Sequence, residues 1–406
     1  MVILYNLTIR AYFLIILIVS GFKKKAKQWV NGRKDWQKSL KEAIDNSQPT
    51  AWFHCASLGE FEQGRPLIEA YKDEHPDHQV LISFFSPSGY EIRKNYQKAT
   101  YVCYLPLDTK RNAKQFLSIV KPKVAFFIKY EFWYHFLSQL RKNNTPTYLV
   151  SAIFRPKQVF FQWYGWWNRK MLHCFRHIFL QNVQSQELLA SIGIYNTTVA
   201  GDTRFDRVYA TAKAAEKIAM LDEFCQNSTV IVAGSTWPKD EELLLEIASL
   251  LQKDVKLIIA PHEINSARID ELISRFGLPC VRYTNPNQGN LSDARILFID
   301  TIGILSSAYG YGHIAYIGGG FGIGIHNTLE PATFGIPVIF GPNYAKFGEA
   351  KELIALNAAF SINDSQQLKE VLNRMLNEKL RHKAGSAAKQ YVKQNIGATQ
   401  TILTNL

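Results

Sequence analysis

The chain has 406 residues, of which 47% are hydrophobic and 20% are charged, and this describes a globular protein rather than a disordered one. Its length is sufficient for two domains of ordinary size, each with its own core. The 47 Lys and Arg residues exceed the 34 Asp and Glu residues, giving a formal charge of +13 that indicates an anionic partner. A phosphorylated substrate, an anionic lipid and a nucleic acid all carry such charge.

The amino end differs from the rest of the chain in composition. Residues 1–22 are almost wholly apolar, and a cluster of lysines follows at 23–27. This order favours a cytoplasmic protein body and disfavours a cleaved signal peptide, whose basic residues precede its apolar core. Arg10, in mid-segment, makes a complete span costly. We predict that residues 1–22 form a membrane anchor, lying on the bilayer or spanning it marginally, with the lysines on anionic lipid headgroups. The remaining positive charge is spread out, so we do not expect nucleic-acid binding.

From about residue 50, short apolar runs alternate with helical patterns, which predicts βαβ units and parallel sheets. The predicted strands lie at 51–55, 80–85, 124–128, 147–150, 177–180, 229–233, 255–260, 296–299, 314–317 and 337–340. We therefore predict an α/β fold of two doubly wound, Rossmann-like domains that face one cleft. The predicted divisions are an anchor at 1–22, an acceptor-binding domain at 23–207, a linker at 208–227, a donor-binding domain at 228–385, and a final helix at 386–406 that packs back on the first domain.

Residues 318–342 read as a strand, a glycine-rich loop and a helix, which is an arrangement that binds phosphate groups. The glycines are expected to let the backbone approach a ligand closely, although glycines after a strand also serve tight turns. Asn327 or Thr328 can cap the helix, and Glu330 lies one turn inside it, within reach of ribose hydroxyls. The loop therefore predicts a nucleotide site. The chain has no Asp-x-Asp pair and no cysteine pairs with metal-ligand spacing, so we expect no metal.

Charged residues also follow the predicted strands of the first half. Glu60 lies at the turn after the first strand, where a carboxylate can act as a general base, and Glu62 is its rival for that role. Lys129 and Glu131 follow the strand at 124–128, either as a structural ion pair or facing a ligand. Arg204 can neutralise a phosphate, or it can form a salt bridge with a neighbouring aspartate.

Five stretches together resemble the 3-deoxy-D-manno-octulosonic acid (Kdo) transferases of lipopolysaccharide assembly. These stretches are Ala56-Ser57-Leu58-Gly59-Glu60, Glu131-Phe132-Trp133, Gly201-Asp202-Thr203-Arg204-Phe205-Asp206, Asp300-Thr301-Ile302-Gly303 and His326-Asn327-Thr328-Leu329-Glu330-Pro331. The resemblance covers about residues 50 to 350. It implies the glycosyltransferase B fold and work at the cytoplasmic face of the cell inner membrane on a phosphorylated lipid A precursor.

The resemblance also implies roles for individual residues. Glu60 would be the general base, which decides between it and Glu62, and Glu131 and Arg204 would stabilise the transition state. Arg204 stands where the family usually has Lys. The contacts to the CMP part of the donor CMP-Kdo fall on Pro261, His262, Ile302, Gly303, Ile304, Asn327, Thr328, Leu329 and Glu330.

The chain departs from the family pattern at several of these positions. His262 replaces the usual Arg and Ile304 the usual Glu, so those two contacts would survive only through the backbone. Lys129 replaces a common acidic residue and Tyr134 the usual Pro, which suggests an acceptor side tuned to a different lipid A.

The resulting hypothesis is an inverting transfer of Kdo from CMP-Kdo to a lipid A precursor (lipid IVA), with no cofactor. Two alternatives remain open: a membrane-surface glycosyltransferase of the same fold with a UDP-sugar donor, and a nonenzymatic protein that binds anionic lipids.

Overall fold

The computed structural model describes residues 1–285 and 290–406. The chain forms two compact units, one of residues 1–207 and 397–406 and the other of residues 208–396. Each unit is built around a parallel sheet covered by helices. Strands in such sheets are buried on both faces, which explains why they read as short apolar runs in the sequence.

The elements of the first unit alternate between strand and helix after three amino-terminal helices. They are α1 (Val2–Val19), α2 (Lys24–Asn31), α3 (Trp36–Ala43), β1 (Thr50–Cys55), α4 (Leu58–Glu74), β2 (Gln79–Phe84), α5 (Pro87–Arg93), β3 (Tyr101–Tyr104), α6 (Lys110–Val120), β4 (Val124–Ile128), α7 (Tyr134–Lys142), β5 (Thr147–Ala152), α8 (Trp166–Leu172), β6 (His177–Leu180), α9 (Val183–Ala190), β7 (Thr197–Val199) and the start of α10 (Thr203–Lys213).

The sheet of the first unit has the order β3-β2-β1-β4-β5-β6-β7, and all its neighbouring strands are parallel. Alternate residues of a strand point to opposite faces, so the sheet carries two cores. Trp52 and Phe127 pack on one face, and Phe53 and Phe126 pack on the other. The strand order reverses between β1 and β4, so ligands are expected beyond the carboxyl ends of these two strands.

The second unit repeats the same plan. Its elements are α11 (Ala219–Cys225), β8 (Thr229–Thr236), α12 (Pro238–Ala248), β9 (Val255–Pro261), α13 (Ser266–Phe276), β10 (Cys280–Arg282), β11 (Ile296–Phe298), α14 (Leu305–Ala308), β12 (Ile314–Ile317), α15 (Leu329–Phe334), β13 (Val338–Phe340), α16 (Gly348–Ala355), β14 (Ala359–Ser361), α17 (Ser365–Leu376) and α18 (Glu378–Asn395). Its described strands follow the order β10-β11-β9-β8-β12-β13-β14 and are parallel, with the reversal between β8 and β12.

The ends of the two units differ in detail from the sequence-based divisions. Residues 208–227, the predicted linker, group with the second unit, and α10 crosses the division at residue 207. Helix α18 also belongs to the second unit. In the last stretch, residues 397–406 belong to the first unit, where α19 (Ala398–Thr404) packs against α4. The Asp206 carboxylate secures this return by accepting hydrogen bonds from Gly397 N at 2.5 Å and Thr399 N at 2.7 Å.

Helix α1 is long and apolar enough, by length and composition, to cross a membrane. One side of it is attached to the first unit. The Tyr5 hydroxyl donates to Asp108 Oδ2 at 2.5 Å, and His135 Nε2 donates to Asn6 Oδ1 at 2.6 Å. The Tyr5 ring also lies 5.6 Å from the Trp167 ring, measured between centroids. Its opposite side leaves apolar residues exposed, namely Ile3, Leu7, Leu14, Leu17 and Ile18.

The glycine-rich loop is shaped mainly by close packing of the backbone. A Cβ on Gly318 would lie 2.2 Å from the Ser235 carbonyl oxygen, and one on Gly320 would lie 2.5 Å from Gly341 N. Gly319 has a φ of 89° and Gly324 a φ of 128°, in the region that favours glycine. The expectation that all these glycines serve the approach of a ligand is therefore corrected for Gly318 and Gly320, whose close neighbours are segments of the chain itself.

We predict that Gly318→Ala lowers the free energy of unfolding by about 1–3 kcal/mol, because the added methyl overlaps the Ser235 carbonyl. Gly322→Ala is the matched control, since its Cβ would lie 3.8 Å from the Gly319 oxygen, an ordinary contact. The control should change the unfolding free energy by less than about 0.5 kcal/mol in urea titrations. Equal urea midpoints for the two variants would contradict the assignment of Gly318 to packing.

Candidate active site

The parallel sheet of the first unit brings its candidate residues to one edge. Glu60 lies in the first turn of α4 after β1, Glu131 follows β4, and Arg204 lies in the first turn of α10 after β7. Carboxyl ends of parallel strands lie at the same edge of a sheet, and β1 and β4 are neighbours at its reversal point. These three residues, predicted from motifs far apart in the sequence, therefore share one edge.

Glu60 and Glu62 have different surroundings. Glu60 is half-buried, and the Ser57 hydroxyl at the start of α4 donates a hydrogen bond to its Oε2. Glu62 is held between two arginines, with Oε1 at 2.5 Å from Arg93 Nη2 and Oε2 at 3.0 Å from Arg207 Nη2. The Glu62 carboxylate is thus engaged in two ion pairs, whereas the partner of Glu60 is the neutral hydroxyl of Ser57. The geometry favours Glu60 as the base.

Glu131 ends a chain of buried hydrogen bonds. Trp52 Nε1 donates to Ser83 Oγ at 2.8 Å, and Ser83 Oγ lies 2.9 Å from His54 Nδ1. His54 Nε2 in turn lies 3.0 Å from Glu131 Oε2. Because a carboxylate oxygen only accepts, His54 Nε2 donates to Glu131, while Nδ1 faces both the Ser83 hydroxyl and, at 3.1 Å, the Ser83 carbonyl oxygen.

A second donor fixes the same carboxylate oxygen. Trp133 Nε1 donates to Glu131 Oε2 at 2.7 Å. The Glu131 side chain is 11% exposed, and His54 is completely buried. The two donors and the burial hold Glu131 in one orientation, as a site for charge stabilisation requires. We did not single out His54 in the sequence, although a histidine inside an otherwise apolar strand indicates a buried polar partner.

Arg204 is paired with the nearest aspartate. Its Nη2 lies 2.7 Å from Asp202 Oδ2, and its Nε donates to the same oxygen at 2.8 Å. Asp202 is itself buried and accepts from Gln63 Nε2 at 3.0 Å. The alternative of a salt bridge is thus confirmed, but about a third of the Arg204 side chain stays exposed, at 35%. The pair orients the guanidinium and leaves part of it accessible to an anion.

Tyr130 carries a hydroxyl that is influenced by the charges of two of the three candidate residues. Burial raises the pKa of its hydroxyl, while the charges of Arg155 and Arg204 lower this pKa and the charge of Glu60 raises it. Glu60 and Arg204 therefore both influence the hydroxyl of Tyr130, the residue that precedes Glu131 in the sequence. Nearby, Lys129 and Ser151 have φ values of 70° and 54°, a left-handed conformation that is rare for such residues and clusters at functional sites.

In the second unit, the start of α15 holds four of the predicted donor contacts. Asn327 precedes the N-cap residue Thr328, and its Oδ1 accepts from Leu329 N, at the first position of the helix, at 3.0 Å. Its Nδ2 donates to Glu330 Oε1 at 3.0 Å. Thr328 is buried, and its Oγ1 has no hydrogen-bond partner within residues 1–285 and 290–406. An unsatisfied buried hydroxyl at the start of a helix fits a ligand that accepts hydrogen bonds.

The residues Pro261 and His262 follow β9, and His262 lies in a stack of three aromatic rings. Its ring centroid is 4.7 Å from that of Trp237 and 4.4 Å from that of His326. Trp237 Nε1 also donates to His326 Nε2 at 3.0 Å. Trp237 follows β8, next to the reversal point of the second sheet, so the stack lies at the edge where a ligand is expected. We had not predicted this role for Trp237 and His326.

The glycine loop is held beside this stack by Asp240, which is completely buried. Its Oδ2 accepts from Gly319 N and from Trp237 N, both at 2.9 Å, and its Oδ1 accepts from the Tyr316 hydroxyl at 2.7 Å. A carboxylate at the start of α12 is also favoured by the helix dipole. Asp240 therefore fixes the loop relative to the stack.

The remaining predicted contacts lie between β11 and α14. The Ile302 side chain is 89% exposed, Gly303 has a φ of 99°, and Ile304 precedes the first turn of α14. An exposed isoleucine beside a glycine of left-handed conformation is consistent with a segment that contacts a ligand through its backbone groups. None of the three side chains carries a charge.

Comparisons with known proteins agree with these motifs. Residues 33–207 match the family model described as 3-Deoxy-D-manno-octulosonic-acid transferase (kdotransferase). A 3-deoxy-D-manno-octulosonic acid transferase of Aquifex aeolicus is 29% identical over 347 residues, which cover 84% of this chain and 89% of that protein. One of Haemophilus influenzae is 25% identical over 367 residues, covering 87% and 85%. The chain is thus similar to Kdo transferases over most of its length.

Solved structures agree with the glycosyltransferase B fold. A putative UDP-N-acetylglucosamine 2-epimerase from Listeria monocytogenes has a TM-score of 0.62 at 15% identity, covering 88% of this chain and 95% of that one. Acinetobacter baumannii MurG has a TM-score of 0.56 at 13% identity, covering 88% and 98%. The predicted fold class is confirmed, and so is the classification as a glycosyltransferase.

The ring stack predicts a pH dependence of stability. Burial and the charge of His262 lower the pKa of His326 to about 4, against about 6.5 in the unfolded chain. Between these values the unfolded chain binds more protons, so the free energy of unfolding falls as the pH drops from about 6.5 to about 4. His326→Gln keeps a hydrogen-bond acceptor for Trp237 and removes the group that binds the proton. In this variant, urea titrations at several pH values should show a smaller decrease of the unfolding free energy as the pH falls. The exposed His382→Gln is the control, and an equally steep loss in His326→Gln would contradict the assignment.

Proposed function

We propose that this protein transfers Kdo from CMP-Kdo to a lipid A precursor, with inversion at the anomeric carbon. The observation that carries the proposal is the grouping of Glu60, Glu131 and Arg204 at one edge of the first sheet, in a chain that is similar to Kdo transferases. A direct displacement by a hydroxyl requires a base and groups that stabilise the charges that develop in the transition state.

Glu60 acts as the general base in this proposal. The acceptor hydroxyl loses its proton to Glu60 as its oxygen attacks the anomeric carbon of Kdo, on the face opposite to CMP. The hydroxyl of Ser57 donates to Glu60 Oε2, which leaves Oε1 for the incoming proton. The bond from the anomeric carbon to the phosphate oxygen breaks in the same step, and the electron pair leaves with CMP.

Glu131 and Arg204 stabilise the charges that develop during this step. The anomeric centre becomes electron-poor as the bond to CMP breaks, and the Glu131 carboxylate, held by His54 and Trp133, stabilises it. The leaving phosphate gains negative charge, which the accessible part of the Arg204 guanidinium offsets.

The second unit would bind the CMP part of the donor. In this proposal the phosphate lies at the start of α15, near the Asn327 and Thr328 backbone and the unsatisfied Thr328 hydroxyl, and Glu330 accepts from the ribose. Leu329, Pro261, His262 and the segment Ile302–Gly303–Ile304 complete the contacts. The donor is a substrate, and we propose no cofactor.

We further propose that α1 lies on the cytoplasmic face of the inner membrane rather than across it. Tyr5 and Asn6 bind the first unit through hydrogen bonds, which a separately inserted helix would have to break. Arg10 shares a cavity of about 480 Å³ with Lys110, Arg111 and Lys114. These four cations beside the exposed apolar side of α1 support binding to anionic lipids.

The proposed base is tested by Glu60→Gln, which keeps the shape and removes the proton acceptor. We expect kcat to fall by roughly 10²- to 10⁴-fold in a Kdo transfer assay, with little change in unfolding temperature. Glu62→Gln is the comparison on the same helix. Since Glu62 pairs with Arg93 and Arg207, this change should lower stability and leave most of the turnover. If Glu62→Gln lost its turnover and Glu60→Gln kept it, Glu62 would be the base instead of Glu60.

A further inference from the structure

The first unit contains an aromatic cavity of about 390 Å³ that none of the steps above uses. It lies between α1, the segment after β4, and the turns and helix at residues 159–172. Its walls are mainly apolar and include Tyr5, Tyr130, Phe132, Val159, Phe160 and Trp167. The centroids of the Phe132 and Phe160 rings lie 4.8 Å apart, so one wall is tightly packed.

One end of this aromatic cavity adjoins the candidate active site. Tyr130 and Phe132, which line it, are the residues on either side of Glu131. A molecule in the cavity therefore contacts the segment that carries Glu131.

The other end adjoins the apolar surface of the unit. Tyr5, on α1, contributes to the wall, and the outer side of the same helix exposes isoleucines and leucines. The segment between two lining residues, Phe160 and Trp167, exposes Trp163, Tyr164 and Trp166, of which Trp163 is 88% exposed. Aromatic residues of this kind are typical of a membrane interface, where their rings are amphipathic.

We propose that this aromatic cavity binds an acyl chain of the acceptor lipid and thereby places its sugar hydroxyl beside Glu60. The occupant must be apolar to match the walls, continuous with the bilayer because α1 forms one side, and attached to a polar group that reaches Glu131. An acylated sugar phosphate meets all three conditions. The inference rests on the proposed function and adds a determinant of acceptor specificity to it.

Val159→Trp tests the cavity, because Val159 lies at its half-buried rim and a larger side chain there fills the space. Each buried methylene contributes about fourfold to affinity, so displacing two or more should raise the KM for a long-chain acceptor by about tenfold or more. The readout is kcat/KM for two acceptors with the same sugar phosphate and either long or short acyl chains. The native protein should prefer the long chains, and the variant should lose that preference while binding CMP normally in calorimetry.

Val183→Trp is the matched control, the same substitution at an exposed position of α9 in the same unit. It should retain the native preference. If Val159→Trp does not fold, Asn168→Phe fills the cavity from another wall. The inference would be overturned if the native protein showed no chain-length preference. It would also be overturned if the filling variant lowered kcat/KM equally for both acceptors. Either result would leave the proposed function standing. Absence of Kdo transfer to either acceptor by the native protein would instead count against the function itself.

Discussion

The parallel pairing of the strands is the constraint on which the sites depend. All strands of the first sheet run in one direction, so every segment that follows a strand begins at the same edge. This is why Glu60, Glu131 and Arg204, separated by up to 144 positions in the printed sequence, share a surface. The same rule brings the segments after β8, β9 and β12 together in the second unit, where they form the ring stack and the glycine loop.

The pairing also explains which parts of the fold could be predicted from the sequence. The ten predicted strands correspond to the inner strands of both sheets, whose residues are almost all buried and apolar. The four strands that were missed, β3, β7, β10 and β14, are the outer strands. They are only partly buried, and most of them lack the continuous apolar run on which the prediction relied.

The sites were predictable to a similar extent. Motifs located Glu60, Glu131, Arg204 and the start of α15, because these residues lie in loops next to recognisable strands. Partners that are near in sequence, such as Asp202 beside Arg204, were predictable, whereas partners that come from other strands were not. Ser83 on β2 and His54 on β1 orient Glu131 only because register places them side by side. Gly318 is a further case, as the Ser235 carbonyl that excludes a side chain there lies 83 positions earlier.

In the proposed function, the amino-terminal helix places the reaction at the membrane surface. Its hydrogen bonds through Tyr5 and Asn6 hold it against the unit that carries Glu60, and its outer side is apolar. A lipid substrate at the bilayer surface and a nucleotide-activated sugar from the cytoplasm would then reach the same protein. The positive charge of the chain and the cations around Arg10 are consistent with this arrangement.

The most direct test is incubation of the purified full-length protein with CMP-Kdo and a tetraacylated lipid A precursor, with the products identified by mass spectrometry. The proposed function predicts a lipid that has gained one or more Kdo residues, released CMP, and no transfer from a UDP-sugar supplied instead. A folded protein that forms no Kdo-bearing lipid, or that uses the UDP-sugar as donor, would contradict it.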